Sequence, residues 1–118
     1  HQGVAARARM AARQLIDPVG EAEATATHTL ALIAATADDD PVNTFAGQIT
    51  LIEYLATRVV ELGVHTLDLQ RSTGQPAELH PDTSAVIVAV LTSLAKPVPL
   101  ILALTGRSPL ADGYNVLG

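Results

Sequence analysis

A chain of 118 residues with a formal charge of −5 and only seven Lys and Arg has no clustered cationic surface for nucleic acid, which excludes that class of partner. The absence of cysteine excludes disulfides and thiolate metal sites. Apolar residues make up 48% of the chain but aromatics only 3%, so a core has to be built from Ala, Leu, Val and Ile, which favours closely approaching helices in a single domain.

The opening run HQGVAARARMAARQL, His1 to Leu15, is rich in Ala with Arg7, Arg9 and Arg13 as its charges. It predicts a solvated terminal helix rather than an anion-binding patch. It lacks the apolar segment of a secretory signal, so a cytoplasmic protein is expected. Asp17-Pro18 marks a restart, the Asp suited to cap and the Pro to the first helical position. The second helix is expected to run to about Ala37 with Ala26, Leu30, Ile33 and Ala37 on its buried side. His28 lies well away from that side and reads as a surface residue. Asp38-Asp39-Asp40-Pro41 lacks the alternating oxygen ligands and glycine of a calcium loop and reads as a solvated turn. Residues 41–49 are then expected to be a linker, with Phe45, the only phenylalanine, filling space in the core.

The longest helical pattern is LIEYLATRVVELGVHTLDLQR, from Leu51 to Arg71. Thr50 followed by Glu53 is a capping-box arrangement that marks its start. Leu51, Ile52, Leu55, Val59, Leu62 and Leu69 recur at helical spacing, and Val60, Val64 and Leu67 widen the apolar surface beyond what a peripheral helix needs. A polar strip of Arg58, Glu61, His65 and Asp68 follows steps of three and four. A carboxylate and an imidazole four residues apart can share one metal ion, but on a surface helix the same spacing gives an ordinary weak pair. An Arg58–Glu61 ion pair competes with both.

After Arg71, STGQPAELHPD reads as a loop in which Gly74 is a left-handed stop and His80 sits in a turn. Pro81 or Asp82 opens a helix to about Ala95, apolar at Ala85, Val86, Val88, Ala89, Val90, Leu91 and Leu94. A shorter helix from Leu100 to Thr105 ends at Gly106. The apolar stretch 85–105 has nearly the length of a membrane span, but Lys96, Pro97 and Pro99 interrupt its middle, so two separate helices and no membrane contact are expected. Residues 108–118 read as a loose tail.

The run VVELGVHTLDLQRSTGQP resembles the signature helix of the mycothiol-dependent maleylpyruvate isomerase family, within the DinB-like helical metalloproteins. Glu61, His65, Asp68 and Gly74 fall on that family's Glu-x-x-x-His-x-x-Asp pattern and the turn after it, and LALTGRSP resembles a segment near the family's end. Leu67 stands where members usually carry an aromatic residue. The resemblance spans roughly residues 18–107. It implies an all-α, DinB-like up-and-down bundle with Glu61 and His65 as ligands of a divalent metal, zinc in most members. Asp68 and Arg58 would stand behind those ligands, and mycothiol would be the thiol of an isomerase or transferase. The family's third ligand, a histidine after a Cys-Pro-Gly-Trp-like segment, has no counterpart. The bundle is therefore expected to be incomplete in one chain, lacking the N-terminal helix. A bundle short of one helix leaves apolar surface to cover, which predicts a homodimer, and a non-enzymatic helical module that pairs with itself is the alternative function.

Overall fold

A computed structural model describes residues 2–14 and 16–117, with the side chains of the first helix described at positions 6, 7 and 9–14. His1, Leu15 and Gly118, which the expectations for the terminal helix and tail included, lie outside the described residues. The chain falls into two compact units, His1–Asp40 and Pro41–Gly118. Among the described residues the structure is mostly helical, with five helices and one two-stranded sheet.

The first unit holds α1 (Gln2–Gln14) and α2 (Pro18–Ala34). The restart forms as its chemistry dictates: the Asp17 carboxylate accepts from the Gly20 amide at 2.9 Å, and Pro18 occupies the first turn, where no amide donor is needed. α2 closes three residues before the predicted end, with Ala35 as its cap and the Thr36 hydroxyl donating back to the Leu32 carbonyl at 2.7 Å. Its predicted buried side is corrected. Ala26, Leu30 and Ala37 are exposed and only Ile33 is half-buried, because helical spacing decides which side chains share a face and not whether anything covers it. His28 is exposed, as expected, and the Asp38–Asp40 segment is a turn.

In the second unit the expected linker is a β-hairpin. β1 (Pro41–Thr44) pairs antiparallel with β2 (Gly47–Thr50), Val42 opposite Ile49 and Asn43 opposite Gln48. The fold is therefore helical with a small sheet, not all-α. The turn residues are Phe45 and Ala46, and Gly47 takes φ +127°, a value a β-carbon would strain. The Thr44 hydroxyl holds the turn by donating to the Gly47 carbonyl at 2.7 Å and accepting from the Ala46 amide at 3.2 Å. Phe45 fills no core: its relative exposure is 108%, the side chain standing wholly in solvent at the hairpin tip.

Thr50 ends the hairpin and caps α3 (Leu51–Ser72). The capping box is complete. The Thr50 amide and hydroxyl donate to Glu53 Oε2 at 2.9 and 2.8 Å, and the Glu53 amide donates to Thr50 Oγ1 at 3.4 Å. These donors hold the Glu53 carboxyl below the ordinary glutamate value, the Thr50 amide most and the hydroxyl next. α3 is the centre of its unit, touching both strands and α4 (Pro81–Leu94). Gly74 follows its end at φ +71°. Gln70 then ties the connecting loop to the helix: its side-chain amide donates to the Glu78 carbonyl at 2.9 Å and accepts from the Glu78 amide at 3.0 Å. His80 caps α4, its Nδ1 accepting from the Asp82 amide at 3.3 Å.

The core of this unit is thin. Val60 at 6% and Ile87 at 7% exposure are the buried apolar side chains among the described residues, and Ile87 lies against Gly63, which is also buried. A β-carbon at Gly63 would lie 2.3 Å from Ile87 Cδ1, so the missing side chain is what lets α4 approach α3. Of the apolar set predicted on α3, Ile52, Leu62 and Leu69 remain exposed. α5 (Pro97–Leu104) starts three residues earlier than predicted. Its two prolines act as helix starters here, since the first turn requires no amide donors. Lys96, ahead of Pro97, is extended, as a residue before proline prefers. No helix among the described residues is long and apolar enough to cross a membrane.

Candidate functional site

Two places on the second unit carry chemistry or shape, and the first is the polar strip of α3. Tyr54, Arg58 and Glu61 form a ladder along it. The Arg58 guanidinium stands 5.0 Å over the Tyr54 ring, donates through Nε to the Thr57 hydroxyl at 3.2 Å and pairs with the Glu61 carboxylate. Both ends of that pair are roughly half exposed, so water screens it and its worth is well under 1 kcal/mol. His65 stands one turn beyond Glu61 and Asp68 a turn further; both are exposed and neither makes a hydrogen bond among the described residues. Of the four predicted site residues, Arg58 and Glu61 are brought together as an ion pair, and Asp68 does not orient the His65 ring.

A tetrahedral zinc shell needs four donors, at least three of them from protein in known centres. Among the described residues no group of three or more His, Cys, Asp or Glu side chains converges on one point. The described donors of one chain therefore do not assemble such a shell, and Glu61 is already engaged by a cation. His28 and His80 add nothing: the first is an exposed residue of α2, and the second spends Nδ1 on its cap.

The second place is an open groove of about 530 Å³ where α3, α4, α5 and the closing segment meet. Val64, Val88, Leu91, Leu100 and Leu104 line it from the helices, and Tyr114, Val116 and Leu117 from the segment after them. Among the described residues no charged side chain lines it. Residues 114–117, the end of the segment expected as a loose tail, thus form one wall, held in part by the Tyr114 hydroxyl accepting from the Lys96 amide at 3.3 Å. Around the groove the apolar surface continues, with Leu94, Val98 and Ile101 exposed and Leu104 exposed to 77%. The sequence contained this surface in the dense apolar composition of α4 and α5, but nothing in the pattern of residues 108–117 marked Tyr114 as a wall. The signal for Phe45 was the alternation of Val42, Thr44 and Ile49 on either side of it, a strand pattern too short to stand out.

No family model matches the chain, and neither does any curated protein or solved structure.

Proposed function

We propose that this chain is a non-enzymatic helical module whose function is to pair with a second copy of itself through the apolar surface of residues 41–118. One observation carries the reading. The chain exposes 9616 Å², whereas the usual scaling of folded surface with mass gives about 7,300 Å² even when its two units are counted as separate globules. The excess is on the order of 2,000 Å² and belongs to the whole chain, including α1 and α2, which bury none of their described side chains; a stable protein interface needs about 800 Å² from each partner. Residues 41–118 are singled out by the kind of side chain they expose, since α4 and α5 present Val88, Leu94, Val98, Ile101 and Leu104 with little charge among them. Sedimentation equilibrium from 1 to 100 µM tests it. The expected result is a dimer whose dissociation Leu104→Asp promotes at least tenfold; a wild-type monomer at 100 µM overturns the reading.

A second reading is a divalent-metal protein descended from DinB-like bundles, with the thiol-dependent isomerases as its relatives. It is favoured by the Glu61–His65 spacing on a well-formed helix, one turn apart on one strip. In a pair of chains two such spacings supply four donors, the number a zinc shell takes. The test is zinc retained after gel filtration, expected at one ion per dimer and lost in Glu61→Gln and His65→Gln. Protein that retains no zinc at micromolar concentration overturns it.

A further inference from the structure

We infer that the occupant of the apolar groove is the hairpin tip of a second copy, with Phe45 of each chain entering the groove of the other. The inference rests on the self-association reading and names the contact that makes it. The groove has about 530 Å³ and a mainly apolar lining, with Thr92 and Asn115 its polar members and no charged side chain among the described residues, so it selects against charged occupants. Among the described residues of the unit that holds the groove, the large apolar side chain standing wholly in solvent is Phe45 at 108% exposure; Ile16, at 98%, belongs to the first unit.

Phe45 is also presented rather than trailing. Its turn is fixed by the β1–β2 pairing and by the Thr44 hydroxyl, which bonds both sides of the turn, so little ordering is left for docking to require. A rigid aromatic entering an apolar pocket is the kind of anchor on which interface affinity concentrates. The contact is self-complementary, because both tip and groove belong to residues 41–118. In a two-fold dimer it is made twice, Phe45 to groove and groove to Phe45.

The chain contains neither Trp nor Cys, which makes the test direct. In Phe45→Trp the new residue is the only tryptophan, and its emission is expected to shift to the blue as concentration rises through the dimerisation range. Phe45→Ser is expected to keep the helical circular dichroism of the wild type, since the side chain it replaces supports nothing, and to weaken dimerisation by at least about tenfold. Phe45→Cys mixed with Leu104→Cys is expected to give a disulfide-linked heterodimer on oxidation, while Phe45→Cys mixed with Asp39→Cys does not. A wild-type monomer at 100 µM overturns the self-association reading and this inference with it. A wild-type dimer that Phe45→Ser leaves equally tight, with Phe45→Trp emission independent of concentration, overturns the inference alone and leaves self-association standing.

Discussion

Gly63 is where helix propensity and packing oppose each other most directly, and their balance can be measured. Glycine inside α3 costs about 1 kcal/mol relative to alanine, so Gly63→Ala would stabilise an isolated helix by that amount. In the folded unit the new β-carbon meets Ile87 Cδ1 at 2.3 Å, whereas Ile87 Cγ1 at 3.5 Å and Leu79 Cδ1 at 3.6 Å are ordinary contacts. Only one methyl group is in the way. It sits at the end of a side chain, but Ile87 is buried at 7% exposure and its escape is limited to a strained rotamer or a small separation of α3 from α4. Such overpacking costs about 1–3 kcal/mol, so Gly63→Ala alone is expected to be neutral to destabilising by about 2 kcal/mol. Ile87→Val removes the obstructing methyl at a cost of about 1 kcal/mol. In that background Gly63→Ala is expected to stabilise by about 1 kcal/mol, giving a coupling of about 1–3 kcal/mol between the two changes. The assay is urea unfolding at one fixed protein concentration, followed by tyrosine fluorescence, because Tyr54 and Tyr114 both report on residues 41–118. Additivity within about 0.5 kcal/mol would refute the claim that the missing β-carbon at Gly63 sets the approach of the helices.

Three further outcomes follow from single contacts. Gln70→Ala removes both hydrogen bonds to Glu78 and is expected to cost about 1–2 kcal/mol, with faster amide exchange across residues 73–80; exchange equal to wild type would show that the loop holds itself. The folded Glu53 carboxyl has its pKa lowered by the Thr50 amide and then the Thr50 hydroxyl, so the unfolded chain takes up its proton first as pH falls. The capping box therefore supports the fold fully above about pH 4.5 and loses its effect as pH falls through the depressed folded value. The urea midpoint of wild type should drop more steeply between pH 5 and pH 3 than that of Glu53→Gln, and parallel profiles would count against the capping contribution. Two chains of charge −5 repel, so dimerisation should tighten as sodium chloride rises from low concentration to about 0.5 M, and weakening by salt would point to ion pairs across the interface instead.

What the sequence made legible was chemistry completed within a few residues. Thr50 with Glu53, Asp17 with Pro18, Pro81 at a helix start and Gly74 beyond a helix end each satisfy or terminate local backbone hydrogen bonds, and each stands where its residue type dictates. The hairpin was hidden because its turn is Phe45-Ala46, without the Asn-Gly or Asp-Gly pair that usually announces a two-residue loop, and its strands have four residues each. The start of α5 was obscured because proline is a breaker inside a helix and a starter in its first turn, and only the position of the turn distinguishes the two. Coverage was the least legible. Leu30, Leu62 and Leu69 fall on faces that helical spacing marks as apolar, yet all three are exposed. The strip of Arg58, Glu61, His65 and Asp68 was legible as a strip, whereas the choice of Arg58 as Glu61's partner depends on side-chain reach that spacing alone leaves open.

A groove and a plug on the same body can combine in two ways, and the difference is observable. If each chain both gives and receives Phe45 within one pair, the contact closes on itself and assembly stops at two. If the geometry does not close, each chain receives from one neighbour and gives to another, and the same contact propagates into open chains. Both alternatives hide the same side chains, so affinity does not separate them. Charge does favour closure, because the −5 on every chain disfavours long arrays more than pairs. The weight-average mass is therefore expected to rise to twice 12.3 kDa and remain there with increasing concentration. A mass that climbs steadily past that plateau would refute reciprocal exchange, and adding Leu104→Asp protein, which can give Phe45 but not receive it, should then shorten the chains by capping one end.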